Sequence, residues 1–182
     1  CKEKADIQVT DLLCETLVEQ QGIDLTSPRL SWKLTSDSRD LIQVGYRILV
    51  ASSLEKLNDN TGDIWDSGIV KSENSVLVSY GGKPLESRKT YYWKVKPETN
   101  KGETPWSEPA TWSMAFLDKN EWKAMWTGLD KSFPKDKLEG KTRLAARYFR
   151  KEFKTDKNDI SKATLYISGL GLYQATINGH RI

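Results

Sequence analysis

The chain has 182 residues, room for one large domain or two small ones, since domains commonly hold about 100–150 residues. A 37% apolar share and a mean hydropathy of −0.62 leave no apolar run near the roughly 20 residues of a membrane-spanning helix. The formal charge is only +3, with 28 Lys and Arg interspersed among 25 Asp and Glu, so no basic stripe tracks a phosphate backbone and a nucleic-acid partner is excluded.

At the amino end, Cys1 is followed by the polar stretch Lys2-Glu3-Lys4. That order reads as a mature bacterial lipoprotein whose signal peptide has been removed, with a start falling at a cysteine by chance as the alternative. Residues 1–5 are therefore set aside as a tail. The second cysteine, Cys14, lies in the apolar-rich segment from Val9 to Val18 and is expected as a small buried thiol. Two cysteines cannot build a dense disulfide framework or a four-thiolate zinc site, so core burial must hold the fold.

From residue 6 onward, strand signals recur and no sustained helical period appears, which makes the fold all-β. Leu30, Trp32 and Leu34 alternate with Ser31, Lys33 and Thr35, placing the apolar set on one face of a pleated strand. The same inward sets follow at Val44, Tyr46, Ile48 and Val50, at Val76, Val78 and Tyr80, at Tyr91, Trp93 and Val95, and at Trp112, Met114 and Phe116. Turn chemistry separates these runs at Thr26-Ser27-Pro28, at residues 58–62, at Gly81-Gly82-Lys83-Pro84 and at Asn100-Lys101-Gly102. Roughly seven short strands between regular turns over residues 6–117 describe a β-sandwich. The stretch Leu85-Glu86-Ser87-Arg88-Lys89-Thr90-Tyr91 resembles the approach to the sixth strand of fibronectin type III domains, which implies an immunoglobulin-like sandwich. That resemblance implies a tyrosine corner at Tyr91 and a core tryptophan at Trp32, where an aromatic ring caps an open end and its hydroxyl bonds upstream backbone.

Apolar alternation lapses from Asp118 to Glu121, a polar joint that reads as a domain boundary. A second unit, 118–182, then offers Trp122 and Trp126, a Lys-rich loop from Lys131 to Lys141, a strand-like run from Arg143 to Phe153, and alternation from Ala163 to Ser168. The loop also carries Asp136 and Glu139 and reads as solvated. Asn178-Gly179 between extended segments signals a type I′ hairpin, because both residues tolerate positive φ. With only three residues after that turn, the hairpin edge lacks a partner, so the natural polypeptide is expected to continue and the unit to be an incomplete sandwich.

Whole segments resemble the amino-terminal region of family 78 α-L-rhamnosidases. Residues 22–32, reading GIDLTSPRLSW, are similar to that family's opening block; YRILVASS at 46–53, GDIWDSG at 62–68, YYWKV at 91–95 and PWSE at 105–108 follow in the same order. ATLYISGLGLY at 163–173, with Ile177-Asn178-Gly179, is similar to the start of the family's lectin-like β-sandwich, a jelly-roll unit. The resemblance implies that the parent enzyme hydrolyses terminal α-L-rhamnosides by an inverting mechanism. Its two carboxyl groups, about 6.5–9.5 Å apart, would sit on an (α/α)6 barrel that is not part of this sequence. This chain is then expected to be a non-catalytic accessory region that packs on that barrel, meets rhamnosylated glycans only through the parent, and lies outside the cytoplasm, touching a membrane only through lipid on Cys1. The alternative is a stand-alone carbohydrate-binding or adhesion lipoprotein.

No catalytic residue, metal ligand or cofactor site is assigned. The single histidine, His180, flanks a predicted turn and reads as solvent-facing rather than as a general base. Gly169-Leu170-Gly171 lacks the Lys and helix start of a phosphate loop and reads as a tight β-bend. Of seven tryptophans, Trp32, Trp93 and Trp112 fall on inward positions, whereas Trp65, Trp106, Trp122 and Trp126 lie near turns or the joint. Interdomain packing is favoured for those four over sugar stacking, Trp122 and Trp126 above all.

Overall fold

The computed structural model describes residues 7–129, 131, 137–138, 141–142, 146–156, 159–160 and 162–182. The chain divides into two compact units, Cys1–Met125 and Trp126–Ile182. Cys1, the rest of the tail at 1–5, and most of the Lys131 to Lys141 loop lie outside the described residues.

The first unit contains β1 (Ile7–Cys14), β2 (Arg29–Ser36), β3 (Gln43–Ala51), a short helix α1 (Leu54–Asn58), β4 (Trp65–Asp66), β5 (Val78–Ser79), β6 (Thr90–Thr99), β7 (Gly102–Glu103) and β8 (Ala110–Ser113). One antiparallel sheet has the order β1-β2-β5; the other runs β4-β3-β6, with β7 and β8 both paired to β6. The long β3–β6 ladder extends from Gln43 opposite Thr99 to Ala51 opposite Tyr92. Inner faces of both sheets share one core: Leu30 and Trp32 from the smaller sheet meet Ile48, Val50, Trp93, Val95 and Trp112 from the larger. Each is buried, and burial of side chains this size contributes about 1.5–3 kcal/mol apiece. The all-β sandwich expected from the alternation is the observed architecture.

Three positions depart from that alternation. Val44 is 38% exposed because a bulge between Gln43 and Gly45 shifts the register by one residue and turns Gln43 inward instead. There Gln43 Oε1 accepts the Trp32 indole N–H at 2.8 Å, and its amide donates to Ser72 O and Asn74 O. Val76 is 60% exposed because the next residue, Leu77, adopts φ 52, which breaks the pleat before β5 begins. Phe116, expected inward, is only half-buried.

The helix α1 is not signalled by any helical period. Ser53 caps it by accepting the Lys56 N–H, and its Leu57 is fully buried. Leu57 covers Leu49 and Ala51 on the outer face of the larger sheet, with Tyr92 and Trp106 beside them. A sheet face normally left to water is thereby partly closed.

In the second unit, β9 (Lys137–Leu138) pairs with β10 (Lys141–Thr142), and β11 (Thr176–Ile177) pairs with β12 (His180–Arg181). The β11–β12 turn has Asn178 at φ 50 and Gly179 at φ 83, the left-handed pair that a type I′ hairpin requires. Ala163 to Ser168 joins no ladder among the described residues, and its Leu165 and Ile167 are 52% and 45% exposed. The run expected from Arg143 to Phe153 likewise shows no strand over 146–153, residues 143–145 lying outside the described set.

Candidate functional site

One end of the first sandwich is organised by Tyr91. Its hydroxyl accepts the Glu86 N–H at 2.8 Å, while Leu85 beside it is buried, so the ring closes the open end and satisfies backbone there. Burial raises the phenol's pKa. At the core's centre, Trp32 meets Tyr46 edge-on at 5.1 Å, and the Trp112 N–H points at Met114 Sδ, 3.3 Å away. The indole N–H of Trp93 is buried with no hydrogen-bond partner among the described residues.

The four tryptophans outside the core differ in what covers them. Trp65 lies against Gly81, where a Cβ would stand 3.5 Å from its ring, and meets Tyr80 edge-on at 5.2 Å. A Cβ on Gly82 would fall 2.4 Å from Tyr80 Oη and 2.5 Å from Trp65 Cβ, so the Gly81-Gly82 turn is shaped to seat these rings. Trp106 has the Lys94 ammonium 5.1 Å above its ring. Lys94 is itself buried, and desolvation lowers its pKa. Trp122 packs edge-on against Phe116 at 5.5 Å within the first unit, whereas Trp126 is 71% exposed.

Hydrolysis by two carboxyl groups needs one of them held protonated, hence a raised pKa. Among the described carboxylates whose pKa is displaced, the displacement is downward. Arg29 donates to Glu15 through guanidinium Nε and Nη2 and through its backbone N–H, lowering the carboxyl. Burial works against ionisation at Asp63, but Lys56 and the Ser52 N–H and hydroxyl outweigh it and bring the carboxyl to about 2. Asp66 is lowered by a two-point bond to Arg47, against some desolvation. These carboxylates are ion-pair partners: Glu15 and Asp63 hold turns, and Asp66 ties β4 to β3.

The remaining sequence candidates are placed simply. His180 is exposed in β12, and no group of three or more metal-ligating side chains forms among the described residues. Gly169-Leu170-Gly171 is a bend: a Cβ on Gly169 would lie 2.7 Å from the Tyr173 ring, and Gly171 sits at φ 111. Cys14 is a free, buried thiol whose pKa burial pushes up to about 12, which makes it inert. The α1 cover and the Lys94–Trp106 stack were not singled out from sequence; the Ser53 cap signal is what could have found the first.

The corner, the core tryptophan and the sandwich topology agree with a family model described as "Rha78A-like, N-terminal immunoglobulin domain", which matches residues 9–118. The chain belongs to that family. Over its whole length it is similar to an α-L-rhamnosidase of Formosa agariphila, 33% identical and covering 100% of this chain but 21% of the relative. An α-L-rhamnosidase of Streptomyces avermitilis is 32% identical across 97% of this chain and 18% of its own length. The chain thus spans about a fifth of these curated relatives. Among solved structures, the α-L-rhamnosidase from Dictyoglumus thermophilum superposes with a TM-score of 0.62 at 40% identity, over 64% of this chain and 13% of that one. The Streptomyces avermitilis enzyme complexed with L-rhamnose gives 0.62 at 37% identity, over 65% and 11%. In this Rha78A-like domain, the block at 22–32 runs through a turn into β2 and the block at 91–95 lies within β6, with Trp32 and Trp93 buried inside.

Proposed function

We propose that the chain is a non-catalytic, amino-terminal accessory region of an α-L-rhamnosidase, whose inverting two-carboxylate chemistry on terminal α-L-rhamnosides resides in other polypeptide. The observation that carries this reading is that rhamnosidases match essentially all of this chain while it covers only about a fifth of them. The low pKa of Glu15, Asp63 and Asp66 supports it, since none is poised to donate a proton. Exposed apolar side chains in the second unit, Leu170 at 92% and Tyr148 at 98%, support a role in packing against further polypeptide such as a catalytic barrel. Incubated with an aryl α-L-rhamnoside, the 182-residue chain should release no phenol above buffer. A rate abolished by substituting a single Asp or Glu would overturn the reading.

The same proposal takes the parent to be bacterial and extracytoplasmic, with lipid on Cys1. Labelled palmitate should enter the protein in a bacterial host and be lost in Cys1→Ser. The 71% exposure of Trp126 favours one second reading, a glycan-binding lipoprotein. Saturable calorimetric binding of rhamnose-bearing glycans, lost in Trp126→Ala, would decide for it.

A further inference from the structure

The sandwich does not stop at its last strand. After β8, Met114 N–H bonds Lys89 O at 2.8 Å and Arg88 N–H bonds Ala115 O at 3.1 Å, which carries the chain back along the Tyr91 corner. Ser87 then holds two points of the following segment: its hydroxyl accepts the Leu117 N–H at 2.9 Å and donates to the Glu121 carboxylate. Between them Asp118 caps a single 3-10 turn at Lys119–Glu121, accepting the Asn120 N–H at 2.8 Å. Arg88, at φ 64, sets its guanidinium 5.8 Å from the Phe116 ring centre and its Nε 3.8 Å from Glu121. Trp122 closes the arrangement edge-on against Phe116. From Lys123 to Leu129 every residue is exposed.

We propose that residues 116–122 are a strap locked onto the 86–91 corner by Ser87 and Arg88, so that the backbone resists opening through Trp122 and is accessible from Lys123 onward. An aromatic pair, a cation over a ring and a bridging hydroxyl act together on seven residues whose middle four, Asp118 to Glu121, are polar. The strap holds whatever activity the parent has, because every contact in it lies within the first unit.

Limited trypsin digestion of the intact chain, read by mass spectrometry, tests it. Cleavage after Lys123 should come first and cleavage after Lys119 about tenfold later, since a locked segment must open before it is cut. Ser87→Ala and Glu121→Ala should each bring the Lys119 rate up to the Lys123 rate while the circular-dichroism melt of the sandwich is retained. Amide exchange at Leu117 and Glu121 in the unaltered chain is the second readout, and both should be protected. Equal cleavage at the two lysines in the unaltered chain, unprotected amides, or no response to either substitution would overturn the strap.

Discussion

The two units share an alphabet and differ in outcome. In the first, Ile48, Val50 and Val95 alternate along paired strands and are 0% exposed. In the second, Leu165 and Ile167 alternate just as cleanly yet join no ladder among the described residues and stand about half in water. Alternation thus states which face a strand would bury, while a strand forms only where another backbone stands beside it to take its hydrogen bonds. The Asn178-Gly179 turn makes the converse point: its geometry depends on two residues alone, and it forms where the longer-range pattern does not.

The contrast can be broken most forcefully at the core. Trp32→Ala should cost about 3–5 kcal/mol in urea unfolding followed by circular dichroism, whereas Leu172→Ala, at a fully exposed site, should cost under about 0.5 kcal/mol. Comparable losses at the two sites would mean that the second unit is as well packed as the first. Within the core, Trp32→Phe should cost about 1–3 kcal/mol more than Trp93→Phe, because only the former strands a hydrogen-bonded partner, Gln43 Oε1. Tyr91→Phe, which leaves the Glu86 N–H unpaired at the corner, should cost about 1–2 kcal/mol in the same assay.

The smallest expected effect is at low pH. Asp63 has a folded pKa of about 2 against an ordinary 3.8, so its contribution is complete above pH 4 and is lost as pH falls towards 2. Asp63→Asn should flatten that part of the stability profile. An unchanged profile in the variant would show that Lys56 and Ser52 do not hold the carboxylate down.

The sequence made the first unit legible because its signals are local and redundant: inward alternation at 30–34 and 91–95, Gly and Pro at the turns, and the spacing from Leu85 to Tyr91. What escaped it depends on single backbone choices. The bulge at Gln43/Gly45 exchanges Val44 for Gln43, and the left-handed Leu77 turns Val76 out; neither residue type announces this. The five residues of α1 offer one buried side chain, Leu57, too few for a helical period to register. On the functional side, the ion pairs that lower Glu15 and Asp66 come from partners distant in sequence, Arg29 and Arg47, which no spacing rule would join.

Because α1 lies over Leu49 and Ala51 and Trp106 lies beside them, the outer face of the larger sheet is partly covered within the module itself. The outward side of the smaller sheet carries the Lys33–Asp11 ion pair and the facing hydroxyls of Thr10 and Thr35, a polar surface. Each sheet thus carries its own cover, a short capped helix on one and paired charges and hydroxyls on the other.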